Sequence, residues 1–249
     1  MTRAWWPPPA APVPAGTVIV LRDGVAGLEA LMLRRATTLA FAAGNWVFPG
    51  GRVEPTDLAA APLGPGGYLG EQAAARHAAA REAAEEAGIS LDPASLVPLS
   101  HWLPPTTALR RFSTWIFLAS ADPTATVAVD GGEITAHVWA HPADVLRRRD
   151  AGEVALLPPT WVSLWHVARY HSAGTAVEAA RRSAPSVFRP RTATVDGTTV
   201  SVYAEDAGYH DATAAGDGPR HRLILDPAGW RYERTFGPPT HGRSKDASE

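Results

Sequence analysis

The stretch Arg81-Glu82-Ala83-Ala84-Glu85-Glu86-Ala87-Gly88-Ile89 sets three carboxylates and a guanidinium on one short segment. Residues three and four apart share a helix face. On a helix, Glu82, Glu85 and Glu86 therefore converge, with Glu82 one turn behind the other two. Carboxylates crowded in this way repel one another and call for a cation between them. Their hard oxygens suit Mg²⁺ or Mn²⁺ rather than a soft zinc-type site. Arg81, four residues before Glu85, is placed to orient or partly neutralise it. A Glu-rich helix taken alone is more often a solvated face. Two features argue against that here. The residues around the carboxylates are nearly all alanine, which suits a helix pressed against neighbouring backbone. Upstream, Trp46-Val47-Phe48-Pro49-Gly50-Gly51 reads as a short strand ending in a Gly-Gly turn, where main chain can approach a ligand with no Cβ in the way.

These residues need a scaffold, and the pattern supplies one. Glu71 to Ala87 is rich in strong helix formers and is stopped by Gly88. Thr17 to Leu21 and Leu28 to Arg34, separated by turn-prone Asp23-Gly24 and Gly27, predict a hairpin. Trp46 to Phe48 predicts a brief strand that Pro49-Gly50-Gly51 ends. Phe112 to Ser120 and Ile134 to Ala140 predict further strands, and Pro142 precedes a short helix over Ala143 to Arg149. Pro158-Pro159-Thr160 opens a helix over Trp161 to His171, and another follows around Thr175 to Arg182. Thr198 to Tyr203 and His221 to Leu225 read as strands. No internal repeat is visible, and the order predicts a mixed α/β (α+β) sandwich. Residues 1–15 read as a Pro-rich irregular leader, 16–150 as the core domain, 151–240 as a C-terminal extension packed on that domain, and 241–249 as a frayed tail.

Bulk properties set the outer limits. The 249 residues are 45% hydrophobic and 19% charged with a net charge of -2. Nothing in that balance points to wrapping around nucleic acid. Cysteine is absent, which removes disulfides, thiolate metal sites and cysteine nucleophiles and is compatible with a reducing compartment; the expected location is cytoplasmic. No run approaches the ~20 apolar residues of a membrane span. No histidine pair at helical i, i+4 spacing has a Glu between its members in the zinc-protease manner.

At the acidic segment the sequence resembles the Nudix hydrolases. Their box is written GX5EX7REUXEEXGU, with U apolar. Gly51 matches its opening glycine, and Arg81 to Ile89 match REUXEEXGU throughout. Asp57 stands where the box has its first Glu. The departure is one of spacing: 23 residues, 58 to 80, lie between Asp57 and Arg81, where the box has seven. The Ala/Pro/Gly-rich stretch 58–70 then reads as a loop inserted inside the box. An interrupted box resembles the branch called nucleoside diphosphate-linked moiety X motif 19, a coenzyme A diphosphatase-like group. Leu33-Arg34-Arg35-Ala36, Trp102-Leu103-Pro104-Pro105, Arg110-Arg111-Phe112-Ser113-Thr114 and Leu157-Pro158-Pro159-Thr160 are similar to that branch as well.

The resemblance implies a Nudix-type α/β/α sandwich with a mixed sheet, and hydrolysis of a diphosphate linkage by water. It implies Glu85 and Glu86 as principal ligands of Mg²⁺ or Mn²⁺, with Glu82 as a third ligand or the base for the attacking water. Arg81 completes the catalytic set, and a main-chain carbonyl of Gly50 or Gly51 joins the metal. Glu133, in Asp130-Gly131-Gly132-Glu133, is either a further ligand or an ordinary turn acid. Asp57 orients the loop or Arg81, and Gly51 and Gly88 shape the box. Arg34, Arg35, Arg110 and Arg111 are candidates for phosphate contact, with surface salt bridging as the plain alternative. The expected partner is a nucleotide-like small molecule. Coenzyme A or acyl-coenzyme A is one candidate. However, coenzyme A-cleaving relatives carry Gly-Gln-Val-Ala-Phe-Pro-Gly-Gly where this chain has Gly44-Asn45-Trp46-Val47-Phe48-Pro49-Gly50-Gly51. ADP-ribose, NADH and dinucleoside polyphosphates therefore stay open, as does a Nudix fold kept only for binding. The region after Thr160 has three open roles: capping the cleft, forming a homodimer contact or extending the core.

Overall fold

In strand β1 (Val13–Gly24) buried side chains alternate between two sides, Val18 and Val20 on one, Ile19 and Leu21 on the other. A strand with both faces buried lies inside a sheet covered on both sides. In the computed structural model, which describes residues 11–39, 42–62, 70–105, 111–129, 131–212 and 217–235, that is its position. β1 pairs antiparallel with β2 (Gly27–Arg35) and parallel with a later strand, β6 (Phe112–Ser120), so the sheet is mixed. The eight strands run β3 (Trp46–Val47), β2, β1, β6, β5 (Val97–Trp102), β8 (Ser186–Phe188), with β4 (Gly50–Arg52) added on β1 and β7 (Ile134–Ala140) on β2.

Helix α1 (Pro55–Ala60) is a single short turn-and-a-half, and α2 (Glu71–Ala87) is the long acidic helix. Ala75, Ala79, Ala83 and Ala87 of α2 are fully buried against Val18, Val20, Leu31, Leu33, Phe117 and Ala119. A row of methyl groups lets the helix axis sit close to the sheet, so the acidic face is carried near β4. Gly88 ends the helix with φ 68, the left-handed cap that glycine adopts without a Cβ penalty. Three helices follow, α3 (Pro142–Asp150), α4 (Pro158–Val167) and α5 (Ala173–Arg181); α5 packs on β1, β5 and β6 and α3 on β2. Among the described residues, no helix is long and apolar enough to cross a membrane.

The chain divides into two units, Met1–Arg189 and Pro190–Glu249. The second holds a four-stranded antiparallel meander, β9 (Arg191–Val195), β10 (Thr198–Val202), β11 (His221–Asp226) and β12 (Gly229–Arg234). Its own small core gathers Ala193, Val200 and Val202. A buried ion pair, Asp206 with Arg222, stands beside β11, and Asp206 also accepts the His221 and Gly208 N–H groups.

Several expectations change. The extension 151–240 is not one piece: its helices and β8 belong to the first unit, and the meander forms a second. The leader gives up Val13 to Ala15 to β1, because β6 offers Val13 a backbone partner and the Pro14 carbonyl accepts the Val53 N–H. The strand at Trp46 ends before Pro49, but Gly50 and Gly51 then open a separate strand, β4, pairing with Thr17 and Gly16 of β1. The inserted stretch begins in a helix, since Leu58 to Ala60 complete α1. The rest of that stretch from 63 to 69, Arg110, Asp130, most of the leader and the tail 241–249 lie outside the described residues.

Candidate active site

The site is built from one face of α2 and the strand β4 beside it. Glu86 is 6% exposed. Its Oε2 accepts the Gly50 N–H at 3.0 Å, and its Oε1 lies 3.6 Å from the Arg35 guanidinium. Burial pushes its pKa up to about 7; the Gly50 N–H and the Arg35 charge pull the other way, while the Glu82 and Glu133 charges add to the rise. Glu82 is also raised above the usual carboxylate range, by burial first, against the Arg81 charge and hydrogen bond. A Cβ on Gly51 would land on the Glu82 carboxylate. The box glycine is therefore an opening through which a carboxylate head reaches β4.

Arg81 organises the other side. Its Nη1 lies 2.9 Å from Glu82 Oε1 and 2.8 Å from Glu85 Oε2. Its Nε and Nη2 donate to the two Asp57 oxygens at 3.2 and 3.1 Å, and Nη2 also donates to the Arg52 carbonyl at 3.0 Å. Burial works against the charge of Arg81, but the Asp57 hydrogen bonds and the Glu82 charge outweigh it and hold the guanidinium firmly protonated. Asp57, buried at the first turn of α1, also accepts the Glu54 N–H. The insertion thus leaves the Asp57 carboxylate on Arg81 although 23 residues, 58 to 80, separate them in the chain.

The arginine candidates separate. Arg35 reaches the carboxylates, 3.1 Å from Glu133 Oε2 as well as 3.6 Å from Glu86. Arg34, one strand position earlier, is exposed. Arg111 sits at the head of β6, where its carbonyl accepts the Val13 N–H. At Gly50 the group turned to Glu86 is the N–H. Glu85 and Glu133 are the solvent-facing members of the set.

Among the described residues, no group of three or more His, Cys, Asp or Glu side chains is gathered into a ready ligand set. Arg81 draws Glu82 and Glu85 to itself, and Arg35 draws Glu86 and Glu133. The donor chemistry nevertheless fits a divalent cation. Glu82 and Glu86 are hard oxygen donors whose charged forms are penalised by burial, and a cation would relieve that penalty.

Fold and acidic helix define a class, the hydrolases that cut phosphorus-containing anhydrides. The NUDIX domain profile matches residues 12–158, and the chain belongs to the NUDIX family. A NUDIX hydrolase from Alicyclobacillus acidocaldarius superposes with a TM-score of 0.59 at 24% identity, over 68% of this chain and 96% of that one. A MutT NUDIX hydrolase from Burkholderia pseudomallei gives 0.45 at 22% identity, over 63% of this chain and 98% of that one. A C. elegans Ap4A hydrolase binary complex gives 0.42 at 19%, over 67% and 98%. No curated protein matches the chain.

Proposed function

We propose that this protein is a divalent-cation-dependent diphosphatase acting on a nucleoside diphosphate-linked small molecule. The observation that carries the reading is the Glu86 carboxylate, buried, raised to about 7 and fastened to the Gly50 N–H beside Glu82. A buried acid with a strongly shifted pKa beside a second buried carboxylate is the kind of group that marks a functional site.

Glu86, Glu85 and Glu82 would hold Mg²⁺ or Mn²⁺, with Glu133 as a further oxygen donor. The bound ion would supply charge neutralisation on the phosphoryl oxygens and acidify a water. Glu82, whose pKa burial lifts, takes the proton of the attacking water if it is not itself a ligand. Arg81 keeps Glu82 and Glu85 oriented from behind, anchored by Asp57. Arg35 is the described arginine placed to meet a phosphate.

Coenzyme A or acyl-coenzyme A is supported by the interrupted box and the accompanying branch segments. A second reading, ADP-ribose, NADH or a dinucleoside polyphosphate, is favoured by Gly44-Asn45-Trp46-Val47, which replaces the Gly-Gln-Val-Ala of coenzyme A-cleaving relatives. Purified protein is incubated with each of these substrates and Mg²⁺ or Mn²⁺, with a Glu86→Gln variant and a chelator control, and products are separated by chromatography. Cleavage that requires metal and Glu86 is expected, and the best substrate decides between the readings. Cleavage indifferent to Glu86→Gln would overturn the assignment, and tight binding without cleavage would make the protein a ligand-binding module.

A further inference from the structure

We infer that Arg35 is the resident counter-ion of the carboxylate site: its guanidinium bridges Glu86 and Glu133, and a divalent cation must displace it to enter. The inference rests on the reading of Glu86 as a metal ligand and adds a residue that opposes the metal rather than holding it.

The bridge is built by a defect in the sheet. β2 and β7 pair antiparallel, but Arg34 is opposite Ala136 while Arg35 is opposite Ile134. Thr135 is the extra residue in β7, and its hydroxyl donates to the Arg34 carbonyl at 3.3 Å. Such a bulge re-aims neighbouring side chains and is common beside active sites. Here it advances Glu133 by one position along β2. The Ala36 N–H then donates to the Glu133 carbonyl at 2.8 Å, and the Glu133 carboxylate meets Arg35 Nη2 at 3.1 Å. Arg35 is itself held on both sides, its N–H donating to the Asn45 carbonyl at 3.0 Å and its carbonyl accepting the Gly44 N–H at 3.2 Å.

The result is a monovalent planar cation standing between two carboxylates from α2 and the head of β7. A guanidinium can hold two carboxylates at once because its donors lie in a rigid fork. It offsets the charge of a carboxylate that has little water around it. A divalent ion bound by the same oxygens would face that guanidinium at contact distance, and like charges so close in a partly buried site repel strongly. Cation entry and the Arg35 bridge are therefore mutually exclusive. Once displaced, the guanidinium stands beside the ion, where a substrate phosphate would need a second positive group. Arg35 on this account is a positioning residue for Glu133 and a competitor of the ion.

The test is Mn²⁺ titration onto metal-stripped protein at pH 8 by calorimetry, comparing wild type with Arg35→Gln, Arg35→Lys and Glu86→Gln. Removing the competitor is expected to tighten Mn²⁺ binding of Arg35→Gln about tenfold, as loss of one close like charge implies. Arg35→Lys keeps the charge as a point without the fork and is expected to bind more tightly than wild type by a smaller factor. Arg35→Gln binding no more tightly than wild type would overturn the inference. If that variant does not fold, by circular dichroism, Arg35→Lys decides in the same way: tighter supports, equal or weaker overturns. Loss of binding in Glu86→Gln with no gain in either Arg35 variant sinks this inference alone. If neither wild type nor Arg35→Gln binds Mn²⁺, the inference falls together with the proposed function.

Discussion

The Gly50 N–H donates to Glu86 Oε2 at 3.0 Å, so the acidic helix is fastened to β4 through a carboxylate that burial has lifted to a pKa of about 7. In the unfolded chain that group titrates near its ordinary value of 4.5. Between those two values the folded protein binds the extra proton, so stability falls as pH rises across the window from 4.5 to 7. Above pH 7 the penalty is complete, on the order of 3 kcal/mol. Metal-stripped protein is expected to melt at a higher temperature near pH 5.5 than near pH 8, and Glu86→Gln should flatten that dependence. Differential scanning calorimetry in chelator reads both; an equal pH slope in the variant would assign the effect to another group.

Adding metal should invert the trend. A ligand that binds only the folded state stabilises it by about 2.7 kcal/mol when present at a hundred times its dissociation constant. Saturating Mn²⁺ at pH 8 is expected to raise the melting temperature of wild type, and to raise that of Glu86→Gln much less. A shift of equal size in both proteins would place the ion elsewhere.

Gly51→Ala puts a methyl group where the Glu82 carboxylate now lies. The carboxylate is the end of a flexible side chain and can retreat, so the fold should survive at a cost of about 1 to 3 kcal/mol. Hydrolysis should not survive the retreat as well. Urea unfolding alongside steady-state kinetics tests this: a large drop in kcat with a modest shift in midpoint is expected, and wild-type kcat would show that the Glu82 position is not critical.

Asp57→Ala removes two acceptors from Arg81 and one from the Glu54 N–H. Arg81 keeps Glu82, Glu85 and the Arg52 carbonyl, so the loss should be about 2 to 3 kcal/mol rather than the larger cost of an orphaned buried charge. Asp57→Glu, which restores the residue type of the box, should recover part of it. Chemical denaturation of the three proteins measures the order.

In the second unit, Asp206→Ala removes the carboxylate that the Arg222 guanidinium holds at 2.8 and 2.6 Å in a buried setting. Breaking such a pair costs about 3 to 5 kcal/mol. Hydrogen exchange should show protection lost across β10 to β12. Unchanged exchange there would mean that the meander does not depend on this pair.

Helix α2, the first hairpin and the strands at Phe112 and Ile134 were legible because long periodic or β-branched runs state their own conformation. Several short elements were not. β4 is Gly50-Gly51-Arg52, residues that locally favour a turn, and β1 overrides them by offering a ladder partner at Thr17 and Gly16. α1 was hidden in an Ala/Pro-rich stretch; Pro55 at its first turn and Asp57 on Arg81 hold it. The box identified the carboxylates, because their spacing is local. It placed Arg81 beside them but did not single out Arg35 from Arg34, Arg110 and Arg111. That depends on the register shift between Arg34 and Arg35, a property of two strands that no single stretch of sequence carries.

The parallel pairing of β1 with β6 bears on the order of events during synthesis. Val13 finds its partner at Phe112 and Leu21 at Ser120, about a hundred residues later, a loop whose closure is slow compared with a hairpin's ~1–10 µs. The β1–β2 hairpin can form as soon as Arg35 has emerged. α2 rests on β1 and β4 and also on β6, so the cover of its alanine face is complete only once Ser120 has left the ribosome. The carboxylate site closes later still, when Glu133 reaches Arg35 at the head of β7.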